Sequence, residues 1–417
     1  MSAPAAGGPT ELWLVENGTL TTGALSAAQV ARLRAEFGRA VVVRPSWQAG
    51  AVELAARDLI GVIAFGGDAA GGLRLHIQPK TPLANLFFML TYAYELPDFR
   101  GAESPLATAD DLFAFLVDIF VKRVDRLVRD GIARGYVESD DDPAFLRGRL
   151  RPMEHLRRSA TRPGRFPQQL NEFTADLPEN RILKFTLWRL ARAGPGDDAL
   201  RRRLRRTLSA FGEVSLAAVT PADCERVVYT RLNESYRTPV NLARLFLQHL
   251  SLEGHAGGTP FMSYLLPMAK VFEAFVGRYL RDSYRGHPRL RVELQRPIAL
   301  DEEARVAGRP DIVLYRDGQP WAILDTKYKL FDDAPNDTDR NQMYAYCGAM
   351  GVRRAVLVYA DAAPVDYVVR LRGGAGPVTL AAQSLALDGA LAEFQARCAD
   401  WAASVGLAHD SPPPAPA

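Results

Sequence analysis

Apolar positions along this chain change their spacing twice. Between 11 and about 80 they come in short runs that alternate or cluster, the habit of strands. Leu12-Trp13-Leu14-Val15 and Ala40-Val41-Val42-Val43 are two such runs, and Leu25 to Phe37 between them has helical spacing. Leu59 to Phe65 and Leu73 to Ile77 predict a hairpin around the glycine-rich stretch 66–72. From about 84 to 250 the three- and four-residue period of helices takes over, in Leu86 to Tyr94, Ala107 to Val128, Asn180 to Ala193, Asp198 to Phe211 and Asn241 to Leu250. The loop from His255 to Pro260 is the strongest candidate boundary. Beyond it the spacing predicts a helix over Pro267 to Tyr284 and strands at Leu290 to Ile298, Pro310 to Tyr315 and Trp321 to Tyr328. A helix at Thr338 to Met350 and a buried strand at Ala355 to Tyr359 follow. The turn between the second and third strands contains Asp317-Gly318, a strong hairpin signal.

Composition narrows the class without fixing a function. In 417 residues, 48% are hydrophobic and 24% charged, as in an ordinary globular protein. The net charge of +3 neither demands nor excludes a nucleic-acid partner. Three scattered cysteines and six scattered histidines offer no disulfide framework and no zinc pattern. No run approaches the roughly 18 apolar residues of a membrane helix, and the amino end does not read as a signal peptide, so a cytoplasmic protein without membrane contact is expected. Residues 1–10 and 406–417 are expected to be disordered. No GxxxxGK[ST] stretch occurs, and the glycine-rich 66–72 lacks the lysine of a phosphate loop.

Chemistry concentrates in Gly308-Arg309-Pro310-Asp311 and Ile323-Leu324-Asp325-Thr326-Lys327. Strand side chains alternate, so Asp325 and Lys327 share a face, and hairpin pairing brings Asp311 beside them. Two carboxylates suit Mg²⁺, which keeps its remaining positions for water and phosphate oxygens. The lysine supplies a charge for the attacking water or the transition state. An exposed strand with a routine Asp–Lys pair would also give D-x-K, but the apolar run Trp321 to Leu324 argues for a buried strand end.

This signature, Pro310-Asp311 with Asp325-Thr326-Lys327, resembles the PD-(D/E)xK nuclease superfamily. The resemblance implies Mg²⁺, with Mn²⁺ able to substitute, and adds three residues. Glu273 stands where a first-helix acid assists the metal, giving Asp311, Asp325 and Glu273 as ligands; on the residues alone it is equally a solvated helix position. Gln342 and Tyr346 in Gln342-Met343-Tyr344-Ala345-Tyr346 resemble the QxxxY element of the RecB-like branch; they also read as a helix packing an aromatic against a sheet.

A longer series of motifs is similar to the McrC family of modification-dependent restriction systems. It comprises Ile77-Gln78-Pro79-Lys80, Asn85 to Leu90, Phe145 to Leu150, Arg162 to Phe166, Asn171 to Asp176 and Asn180 to Lys184. That resemblance implies an α/β, multi-domain chain: a mixed β/helical docking region followed by a PD-(D/E)xK restriction-endonuclease-like domain. The region 11–255, strand-rich over 11–83 and mostly helical over 84–255, would dock on and stimulate a McrB-like hexameric AAA+ GTPase. Residues 261–405 would cut double-stranded, modified DNA. Two other readings remain: a stand-alone RecB-like repair nuclease, and a non-catalytic activator of an AAA+ ring. The run Arg201-Arg202-Arg203-Leu204-Arg205-Arg206 reads as a charged helix face or a phosphate-contacting patch.

Overall fold

A computed structural model describes residues 9–66, 72–99, 108–141, 144–158, 161, 163–253, 261–365, 367–372 and 376–407. The chain divides into two compact units. Met1–Leu112 folds together with Ser263–Ala417, and Phe113–Met262 forms the other.

The amino-terminal segment holds β1 (Thr10–Val15), β2 (Thr19–Thr22), α1 (Ala27–Phe37), β3 (Val41–Pro45), β4 (Val52–Ala56), β5 (Leu59–Phe65), β6 (Leu73–Gln78) and α2 (Leu83–Ala93). Helix α1 starts at a capping box, in which Ser26 and Gln29 each bond the other's backbone N–H. Strands β2, β4 and β3 form one antiparallel sheet. Strands β5 and β6 make the expected hairpin, and β1 pairs with β6 in parallel. The turn predicted around 66–72 lies largely outside the described residues, which omit 67–71. Leu33, Val41, Leu54, Phe65, Leu75 and Ile77 make the core of this segment.

The second unit carries α3 (Ala109–Asp130), which begins just before the division, then β7 (Gly135–Asp141), β8 (Arg149–Leu150), α4 (Pro152–Arg158) and β9 (Gln168–Thr174). Helices α5 (Pro178–Ala193), α6 (Asp198–Ser209), α7 (Pro221–Glu225) and α8 (Arg237–His249) and strand β10 (Leu250–Glu253) follow. Helix α5 packs on α6 and α8. Here the chain is less helical than its spacing predicts, because β7, β9 and β8 form a small sheet. Several of the quoted motifs turn out to be architecture. Buried Gln168 donates to the Phe145 carbonyl at 2.7 Å and accepts from the Arg147 N–H at 2.8 Å, which fixes the Arg147-Gly148-Arg149 turn. Asn180 donates to the Ala133 and Ala175 carbonyls and accepts from the Tyr236 hydroxyl. Arg203 pairs with Asp118 at 3.0 Å and Asp125 at 3.1 Å, so part of the arginine run is spent inside the unit.

The carboxy-terminal segment opens with β11 (Phe261–Pro267) and α9 (Met268–Ser283). It continues through β12 (Leu290–Leu294), β13 (Ile298–Ala299), β14 (Ala307–Gly308), β15 (Ile312–Arg316), β16 (Gln319–Lys327), α10 (Asp337–Met350), β17 (Arg354–Tyr359), β18 (Tyr367–Leu371), β19 (Val378–Ser384) and α11 (Leu391–Leu407). Counting the strands of the six-stranded sheet, α9, β12, β15, β16, α10 and β17 follow the expected order, while the two-residue strands β13 and β14 pair apart from it. The run predicted as one strand from Leu290 to Ile298 breaks at Gln295, whose φ is +46°. The sheet runs β12-β15-β16-β17-β19-β18, antiparallel from β12 to β16 and parallel through β16, β17 and β19. Helix α10 covers one face over Ile323, Leu357 and Tyr359.

The packing changes what lies on either side of the division expected between 255 and 261. Residues 254–260 lie outside the described residues, and the units do change close by, between Met262 and Ser263, but the segment after that point folds with Met1–Leu112 rather than by itself. Strand β11 pairs with β5, Tyr264 opposite Val62 and Leu266 opposite Ile60. Gly61 permits it: at φ +128°, a Cβ would meet the Tyr264 carbonyl oxygen at 1.9 Å. Helix α2, apolar on nearly every side, is buried because α9 and α11 surround it, with the Phe88 ring 5.9 Å from those of Phe275 and Phe394. The two ends of the chain share one core because neither β5 nor α2 has enough amino-terminal partners to bury it.

Candidate active site

The hairpin of β15 and β16 turns on Asp317 and Gly318, both at positive φ (+52° and +82°), as a tight two-residue turn requires. That turn sets the register: Ile312 pairs with Leu324 and Val313 with Ile323. One step further, Asp311 stands opposite Asp325 on the same face. Asp311 Oδ2 accepts from the Thr326 N–H and hydroxyl, both at 2.8 Å. Asp325 is 4% exposed, and its Oδ2 lies 2.7 Å from Lys327 Nζ. No hydrogen bond among the described residues occupies Oδ1 of either aspartate.

Burial disfavours the charged form of both carboxylates. Asp311 is pushed up to about 6 by burial and by the nearby charges of Asp325 and Glu273. Asp325 is raised by burial, which the adjacent Lys327 only partly offsets. Burial also works against the Lys327 ammonium, yet Asp325 and Asp339 outweigh it and hold the lysine above its ordinary range. Such a site gains by taking a cation.

Lys327 has two further partners. Gln342 Oε1 accepts from its ammonium at 3.3 Å, and Asp339 Oδ1 lies at 3.1 Å. Asp339, 6% exposed, was not singled out from the sequence. It sits in the first turn of α10, where Asn336 caps the helix by accepting from the Asp339 N–H. Its Oδ2 lies 2.6 Å from Lys329 Nζ. Burial opposes the Asp339 charge, but the two lysines hold its carboxyl below the usual range. The spacing Lys327, Lys329 was visible in the sequence; the acid that joins them comes from another element.

The structure brings Gln342 to Lys327 and links its Nε2 to the Tyr346 hydroxyl at 2.9 Å. Tyr346 itself is buried, packs in the core under α10, and its hydroxyl accepts from the Arg309 N–H at 3.4 Å. It supports the loop before Asp311 rather than reaching into open space. Glu273, on α9, is engaged by Lys270 at 2.7 Å and by the Gln295 amide. It lies near enough to influence both aspartates. Even so, among the described residues no three carboxylate, histidine or cysteine side chains gather closely enough to hold a metal ion. Of the expected three acids, Asp311 and Asp325 oppose each other, and Glu273 is engaged by Lys270 and Gln295 while its charge still acts on both. Two carboxylates still fit Mg²⁺, which commonly takes one or two and fills the rest with water and phosphate oxygens.

No helix among the described residues is long and apolar enough to cross a membrane. A family model described as McrBC 5-methylcytosine restriction system component matches residues 54–360. Among solved structures, a chain from the refined half-complex of a tetradecameric assembly of Thermococcus gammatolerans McrB AAA+ hexamers with bound McrC is 20% identical. The match covers 95% of this chain and 100% of that one, with a TM-score of 0.54. A chain of the Thermococcus gammatolerans McrBC complex is 22% identical over 66% of this chain and 88% of that one, with a TM-score of 0.39. No curated protein matches.

Proposed function

For a chain that belongs to the family of McrBC 5-methylcytosine restriction system components, we propose the McrC-like role: the DNA-cutting subunit, acting with an AAA+ GTPase partner. The observation that carries the cutting half is the placement of Asp311 opposite Asp325 with Lys327 bonded at 2.7 Å on the same face. A PD-(D/E)xK-type site needs that set of charges on one rigid surface. Asp311 and Asp325 would hold Mg²⁺. The bound ion would lower the pKa of water and neutralise charge on the scissile phosphate. Thr326 orients Asp311 through two hydrogen bonds. Lys327, held by Asp325, Asp339 and Gln342, offers a fixed positive charge to the attacked phosphate and does not need to reorganise when charge develops there.

The docking half rests on the neighbouring structure, whose McrC is bound to McrB AAA+ hexamers, and on surface chemistry. In the second unit Tyr136, Phe145, Leu146, Met153, Leu156 and Phe173 are all more than half exposed. Large apolar side chains left unburied on a small sheet, the segment between β7 and β8, and the helix after it are what a protein partner would cover. The chain itself has no phosphate-binding loop, so the nucleotide chemistry belongs to that partner.

The test pairs two assays on the full-length chain. Asp325→Ala should abolish Mg²⁺-dependent cutting of modified plasmid yet still raise the GTPase rate of the cognate ring. Lys327→Ala should lose roughly 10²-fold in rate with metal affinity retained. Undiminished cutting by Asp325→Ala removes the site. Efficient cutting by the wild-type chain with no partner or nucleotide replaces the restriction role with a stand-alone nuclease.

A further inference from the structure

A cleft of about 400 Å³ opens beyond the hairpin end, lined by Asn17, Lys80, Thr81, Tyr328, Lys329 and Asp388 among others, all within one compact unit. Its position in the fold is unusual. Tyr328 and Lys329 follow the carboxyl end of β16, Ala360 and Ala362 that of β17, and Leu387 and Asp388 lie shortly beyond that of β19; these three strands are parallel. From the other side, Asn17 follows β1 and Lys80 follows β6, a second parallel pair. The carboxyl ends of five strands converge there, and in parallel sheets that is where ligands bind.

The walls are fixed by buried polar groups. Glu16 has no exposed surface; its Oε2 accepts from the Tyr328 hydroxyl at 3.2 Å and the Lys80 N–H at 3.4 Å, while Oε1 has no partner. The Asn85 amide, also fully buried, donates to the carbonyls of Leu387, Asp388 and Gly389 at 3.0–3.3 Å. The charge within the cleft comes from lysines. Asp388 is occupied by Arg397 at 3.3 Å. Among the described residues no carboxylate lies within ion-pair distance of Lys80, which is exposed. Lys329 shares Asp339 with Lys327, so one carboxylate separates a cleft cation from the lysine of the site.

We propose that this cleft is a phosphate subsite, which takes a backbone phosphate of the DNA strand a short step from the bond to be cut. Lysine suits it as a mobile point charge. The choice of DNA over a free nucleotide rests on the nuclease reading, through the Lys329–Asp339–Lys327 link.

The experiment measures binding without cutting. Full-length Asp325→Ala is titrated with a short labelled duplex across a range of KCl concentrations, with and without Lys80→Gln. Lys80 is exposed, and an unchanged melting temperature confirms that the variant folds. Loss of one phosphate contact should weaken binding several-fold and reduce the slope of log K against log salt by about 0.9. Unchanged affinity and slope overturn the subsite. Deoxyguanosine monophosphate is titrated in parallel. If its binding depends on Lys80 and that of the duplex does not, the assignment to DNA is overturned in favour of a free nucleotide. Persistent cutting by Asp325→Ala would end the nuclease reading, whereas an unchanged salt slope would end the subsite alone.

Discussion

Glu16 has no exposed surface, and burial pushes its carboxyl up to about 7 against the opposing effects of Tyr328 and Lys80. The folded chain therefore holds a proton between pH 4.5 and about 7 that the unfolded chain releases. This contribution to stability is complete below the unfolded value, falls as pH rises through that window, and is level above it. Its size is about 3 kcal/mol at about 1.4 kcal/mol per pH unit. Glu16→Gln, which keeps the shape of the protonated acid, should be more stable than wild type at pH 8. Its melting temperature should vary less between pH 5 and 7. Parallel pH profiles for the two proteins would count against a buried, proton-holding Glu16. The sequence gives no hint of this residue's position, since a glutamate beside a turn reads as solvated. Asp339 was hidden for the same reason: an acid in a first helical turn is ordinary capping chemistry until a lysine from another strand meets it.

At the scale of elements, the β15–β16 hairpin was the most legible part. A two-residue turn, an apolar run on each side and the period of two determine which residues share a face before any tertiary contact is known. Gly318→Ala should cost about 1 kcal/mol, because the positive φ strains any residue with a Cβ. It should shift the melting temperature while leaving the metal requirement of cutting intact. A loss of cutting without a loss of stability would show that the turn has a direct part in the chemistry. Strands β7 and β9 were not legible. Gly135 to Asp141 and Gln168 to Thr174 are polar, with little alternation, and they exist because they pair with each other over seven residues. The middle of the chain consequently read as mostly helical.

For the molecule as a whole, the sequence order suggested a docking half that could be cut away near 255. The packing decides otherwise. A fragment ending there would lose β11 from the edge of β5 and lose α9 and α11 from around α2. Such a fragment should expose apolar surface and be digested faster by protease than the full chain, with the amino-terminal sheet going first. Full-length Asp325→Ala, by contrast, should keep its folding and its stimulation of the ring. Equal protease resistance of fragment and full chain would refute the shared core. What the sequence determined by itself was local and short-range: the hairpin register, the face shared by Asp325 and Lys327, the opposition of Asp311, and the absence of a phosphate loop. Each follows from spacing of a few residues and from side-chain chemistry. Only the tertiary structure decided that Glu273 is held aside by Lys270 and Gln295, and that Tyr346 supports the Arg309 loop from the core. It alone brought Asp339 and Gln342 to Lys327, and placed Lys80, which follows β6, and Lys329, which follows β16, on the walls of one cleft. Those outcomes depend on which distant segments bury one another's apolar faces, and that long-range free energy has no signature in any short stretch of the chain.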